Sequence, residues 1–131
     1  MTKLERAEQL RADETKDYNC CQSSLLPFCQ ECHLDEETAL KLSANFGSGM
    51  RHGSTCGAVT GALMALGLSG LDEKKASALI RKFKAKNGAL TCRELLAKNT
   101  GDLKSHCDGK VFDAVQIAMD LLEEEKAANN V

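Results

Sequence analysis

Residues 55–68 read TCGAVTGALMALGL, and this run decides the fold class. Ala58, Val59, Ala62, Leu63, Met64, Ala65 and Leu66 fall on every side of a helix, so the helix has almost no polar face and must lie buried among others. Gly57, Gly61 and Ala65 recur at i, i+4 and i+8 as a stripe of small side chains. Each Gly in a helix costs ~1 kcal/mol against Ala, so a closely approaching backbone must compensate. That neighbour comes from the same chain or from a second copy, which leaves a homodimer open. The run is too short to span a bilayer, which takes ~20 apolar residues.

Outward from this centre the pattern stays helical. The spacing predicts helices at 3–16, 19–33, 35–46, 72–87, 91–99 and 105–127 beside the central one at 55–68. Ala76, Leu79, Ile80 and Phe83 mark one amphipathic face, and Val111, Val115, Ala118 and Leu122 another. Gly88 and Gly101 stand where helix-ending glycines belong. The tail EEEKAANN is expected to fray. No period-2 run is long enough for a strand. The expectation is an all-α fold, a compact helical bundle with one central buried helix, formed as a single domain over residues 1–131.

Composition narrows the function classes. Lys and Arg number 17 against 19 Asp and Glu, for a net charge of −2 with no concentrated basic face. That argues against a nucleic-acid surface and against insertion into an anionic membrane. The N-terminal MTKLERAEQL has no apolar core of signal-peptide length, so a cytoplasmic location is expected. A reducing compartment has no use for a disulfide framework. Seven cysteines therefore point to metal ligation, thiol chemistry or burial, and an odd number cannot all pair within one chain.

Four of the seven follow capping residues. Asn19 precedes Cys20, Thr55 precedes Cys56, Thr91 precedes Cys92, and Ser105 lies two before Cys107. Thr91 has Glu94, and Ser105 has Asp108, at the distance of a capping box. Each cysteine is thus expected at the start of its own helix, where free N–H groups and the helix dipole favour a thiolate. Cys56, beside the glycine-rich GSGMRHGS loop (47–54), should be the most acidic and reactive. No strand precedes that loop and no Lys-Ser/Thr pair follows it, so it is not a nucleotide phosphate loop. Its sharper reading is backbone brought close to a ligand. Cys21, Leu25, Cys29 and Cys32 share one helical face and read as core.

NCCQSSLL, then FGSGMRHGSTCGAVTGALMALG, then TCRELL and a Cys opening the last helix resemble the C-GCAxxG-C-C family of redox-active proteins, related to the split-Soret cytochromes. The likeness runs from about Asn19 to the last helix. It implies that Cys20, Cys56, Cys92 and Cys107 are the signature cysteines, the same four that the capping residues select. It also implies redox activity or a bound cluster, and the glycine-rich approach to Cys56 makes Gly49, Gly53 and Gly57 the candidate cofactor-binding residues. The segment PFCQECHLDEE departs from the family, which has an Ala- and Glu-rich helix ending in Gly there. Cys29, Cys32 and His33 are extras, and they spell the CxxCH of c-type haem attachment. The core register of both cysteines weighs against haem. His52 and His106 read as solvent-facing, with His106 able to tune Cys107.

Three functions follow. The first is an electron-transfer protein whose four thiolates ligate an iron–sulfur (Fe–S) cluster and serve a redox partner not identifiable from sequence. The second is a metal-free thiol–disulfide protein with Cys56 attacking. The third is a zinc-stabilised interaction module, disfavoured because closely spaced Cys pairs are absent among the four.

Overall fold

The computed structural model describes residues 1–129, and among them the chain is all-α with no named strand. Seven α-helices follow one another: α1 (Lys3–Ala12), α2 (Cys20–Leu25), α3 (Glu36–Ser43), α4 (Gly57–Leu68), α5 (Glu73–Asn87), α6 (Cys92–Ala97) and α7 (Leu103–Asn129). None is long and apolar enough to cross a membrane.

The central helix is α4. Gly57, Ala58, Val59, Gly61, Ala62, Ala65 and Leu66 are buried, and α2, α5 and α7 pack around it. Full burial of a side chain such as Val59 or Leu66 contributes roughly 1.5–3 kcal/mol. The predicted face of α7 holds throughout, with Val111, Val115, Ala118 and Leu122 all in the core. On α5, Leu79 and Phe83 are buried while Ile80 is only partly so.

The small-residue stripe is filled from within the chain. A Cβ at Gly61 would meet Cys21 O at 2.5 Å and Ser24 Cβ at 2.8 Å, so the backbone of α2 runs directly against α4. This contact consumes the surface that had left a second copy open.

Several boundaries differ from expectation. The segment 19–33 is not one helix: α2 stops at Leu25, and Pro27 opens a short 3₁₀ turn over Leu26–Phe28. Proline lacks the N–H that a continuing helix needs. Cys21, Leu25 and Cys29 are nevertheless buried, and Cys32 packs against the core from its edge. Gly88 caps α5 in the left-handed conformation (φ 81°), whereas Gly101 does not cap a helix that way. Instead α6 ends at Ala97 with Lys98 as its cap, and the Asn99 side chain brackets Gly101. The tail stays helical to Asn129, and the rest of EEEKAANN lies outside the described residues.

Candidate functional site

Asn19 caps α2 as expected. Its side chain accepts from Gln22 N–H at 2.8 Å while the Gln22 side chain accepts from Asn19 N–H at 2.9 Å. Asn19 also donates to Ala44 O at 3.1 Å, which holds the start of α2 against the end of α3. Cys20 is therefore the first residue of a fixed helix. Thr91 caps α6 by accepting from Glu94 N–H at 3.2 Å, which places Cys92 at the helix start, but the Glu94 carboxylate accepts from the Thr91 hydroxyl at 2.8 Å and the expected capping box is not completed.

The other two cysteines arrive differently. Thr55 is not the cap of α4; Cys56 itself occupies the cap position, with no side-chain cap bond. Thr55 instead pairs with Thr91 in an isolated antiparallel bridge. Cys56 N–H donates to Leu90 O at 2.8 Å and Cys92 N–H to Ser54 O at 2.7 Å, so two helix starts 36 residues apart in sequence are stapled together. Nor does Ser105 cap the last helix. Asp102 accepts from Ser105 N–H at 3.0 Å, α7 starts at Leu103, and Cys107 stands more than a turn inside it. Asp108 forms no capping box, because its carboxylate pairs with Arg11 at 2.6 Å and Lys104 at 3.1 Å.

Despite these different routes, Cys20, Cys56, Cys92 and Cys107 all line one cavity of ≈ 140 Å³. Its wall also includes Leu95, Leu96 and Leu103 and the polar Ser48, His106 and Lys110. Gly57 lines it too, and its missing side chain is what admits a sulfur: a Cβ there would lie 2.5 Å from Cys20 Sγ. Gly49 and Gly53 lie in the loop behind. Gly49 is left-handed (φ 61°), and a Cβ would press on the Ser54 backbone and stand 2.9 Å from Cys92 Cβ. Gly53 packs on Arg93, whose guanidinium donates to His52 O at 3.2 Å. His106, read from sequence as solvent-facing, is half-buried at the cavity wall.

Burial dominates the electrostatics. Cys56 is 7% exposed, and desolvation pushes its thiol up to about 12, with Cys20 adding to the rise. The N–H groups of Ala58 and Val59 oppose this without overcoming it. The expectation that Cys56 is the most acidic thiol is therefore reversed: a helix start lowers a thiol pKa only while the sulfur keeps access to water. Burial and then Cys20 also raise Cys92 and Cys107, and Arg11 draws Cys107 partly back. Burial and then Lys110 lower His106.

All seven cysteines are free thiols. Among the described residues no three His, Cys, Asp or Glu side chains are gathered closely enough to hold a metal ion.

A family model described as "Putative redox-active protein (C_GCAxxG_C_C)" matches residues 18–121, from just before α2 into α7. The chain belongs to this family. The family description supports a redox role, and the matched span contains all four cavity cysteines while leaving out α1. Neither a curated protein nor a solved structure matches the chain.

Proposed function

We propose that Cys20, Cys56, Cys92 and Cys107 form one redox site that ligates an Fe–S cluster for electron transfer. The observation that carries this reading is the single apolar-walled cavity lined by four thiols from four different helices. Such a donor set suits the cluster: soft thiolates are its usual ligands, and an apolar shell sets its potential. The cluster supplies one-electron transfer when bound. The chain supplies the four sulfurs, room for Cys20 beside Gly57, and the buried Leu95 side chain in the wall.

A single zinc ion fits less well. Zinc sites typically draw on closely spaced Cys pairs, and these are absent among Cys20, Cys56, Cys92 and Cys107. A metal-free dithiol is the second reading, since the same four thiols line one cavity. Against it stands the raised pKa of Cys56, since thiol–disulfide exchange needs the thiolate. Four thiolates without a cation would also repel, by ~4 kcal/mol per close pair at an effective dielectric of 20. A bound metal centre removes both difficulties.

Anaerobic purification, an absorption spectrum and iron, sulfide and zinc analysis test the proposal. Iron with inorganic sulfide, lost on Cys56→Ser, supports it. Zinc alone supports a structural module, and a reversible disulfide without metal supports thiol exchange.

A further inference from the structure

We propose that Arg11, on α1, is the positioning residue that ties the segment carrying Cys20 to the segment carrying Cys107. The inference rests on the reading that the four cysteines act as one site. Arg11 Nε donates to Asp108 Oδ1 at 2.6 Å, and Asp108 directly follows Cys107. Through Nη1 the same guanidinium donates to Tyr18 O at 2.8 Å, and Tyr18 directly precedes Asn19, the cap of the helix that starts at Cys20. One planar fork thus spans the approaches to both sulfurs. A guanidinium can hold two acceptors at a set separation, whereas the compact ammonium of lysine cannot.

The clamp is shielded and reinforced. The Arg11 side chain is 12% exposed, so its charge-assisted bond to Asp108 is largely removed from water, where such bonds are strongest. Lys104, one turn before Asp108, closes the ring by donating to Arg11 O at 2.6 Å and to Asp108 Oδ2 at 3.1 Å. Because Lys104 still partners Asp108, loss of the guanidinium does not strand a carboxylate. Cys20 and Cys107 are also the two cavity cysteines that line a wider groove of ≈ 650 Å³, whose wall includes Arg11 and Tyr18. Arg11 therefore sits where the cavity opens outward. Its charge acts on Cys107. It lies before residue 18, outside the span that the family model matches.

The test uses the reduced, metal-free protein and dibromobimane, a short bifunctional thiol reagent, with cross-linked peptides mapped by mass. Wild type should give a Cys20–Cys107 cross-link, and its absence overturns the one-site reading rather than the role of Arg11. Arg11→Met should lower the yield by a factor of about two or more, the lower bound for residues coupled in one hydrogen-bonded network. Arg6→Met, which removes a different α1 cation that pairs with Glu36, should leave the yield unchanged. Arg11→Lys keeps the charge and the stem, serves as the second variant should Arg11→Met fail to fold, and should lower the yield likewise. Yields equal to wild type in Arg11→Lys and in folded Arg11→Met overturn the inference. The midpoint potential of the isolated protein provides a readout that helix docking alone would not move. It should fall in Arg11→Met, where a positive charge is lost, and recover in Arg11→Lys; equal potentials in all three proteins overturn the electrostatic part.

Discussion

The two ends of α4 treat their cysteines in opposite ways. At its C-terminal end Cys32 Sγ lies 3.9 Å from Ala65 O and 3.3 Å from Ser69 Oγ, and nearby Cys29 Sγ lies 3.8 Å from Leu25 O. Those thiols have hydrogen-bond partners and fill space. At the N-terminal end Cys20, Cys56, Cys92 and Cys107 line one cavity, with the N–H groups of Ala58 and Val59 acting on Cys56. The sulfurs of one end behave as packing, and those of the other are available to a ligand.

The largest expected effect is on alkaline stability. Cys56 rises to about 12 and Cys29 to about 11, in both cases chiefly by burial, so the folded state keeps protons that the unfolded chain releases near pH 9. Stability is then complete below about pH 9 and falls as pH climbs towards those values, by ~1.4 kcal/mol per thiol and pH unit. Loading the site separates the two ends. A ligating Cys56 is already a thiolate, so its share of the slope should vanish, while that of Cys29 should remain. Denaturation midpoints of loaded and unloaded protein between pH 8 and about 11 check this. Equal slopes would mean that Cys56 is not a ligand.

A smaller loss is expected at the middle of the helix, where the two ends must be held apart. Gly61→Leu would drive side-chain atoms into Cys21 O and Leu25 N on α2. Overpacking costs ~1–3 kcal/mol when neighbours can give, and a backbone gives less than a side chain. An unchanged denaturation midpoint would show that α2 does not need this approach, and with it the seating of Cys20 would lose its support.

Much of this was legible in the sequence because the signals were local. The all-α class, the burial of α4 and the caps at Asn19 and Thr91 are each written within one turn of helix. The four cavity cysteines were picked out together by the family likeness, since the capping signal holds only for Cys20 and Cys92. What escaped depends on partners far along the chain. Thr55 reads as a cap until Thr91 competes for it across 36 residues. Ser105 reads as a cap until Asp102 starts α7 sooner. The acidity expected of Cys56 followed from its helix position, but its pKa is set by the walls that other helices build around it. Arg11 carries no motif, and its role appears only when α1 is docked beside α7.

Paired alanine substitutions compare the ends directly. Cys29→Ala with Cys32→Ala should cost ~1–3 kcal/mol, since Cys29 is 1% exposed and its removal leaves a void. The redox signal should persist. Cys20→Ala with Cys107→Ala removes half-exposed side chains and should cost less stability while abolishing the signal. Thermal unfolding and a redox titration on both proteins read the contrast, and a signal that survives the second pair but not the first would invert it.

The smallest effect concerns His33, the residue that completes the CxxCH sequence. It adopts φ 56°, and the turn it ends is closed by Leu34 N–H donating to Cys29 O at 2.9 Å. This is a left-handed helix-ending position, where Gly is favoured because a Cβ costs ~1 kcal/mol. His33→Gly relieves that strain, though Gly also adds freedom to the unfolded chain and returns part of the gain. The expected result is a denaturation midpoint raised by the equivalent of up to ~1 kcal/mol, with metal content and redox potential unchanged. If His33 were instead an axial haem ligand, the exchange would remove the ligand and alter the spectrum. A covalently bound haem in protein from the native host, perturbed by His33→Gly and lost on changing Cys32, would make the C-terminal end of α4 the redox end and reverse the contrast drawn between the two.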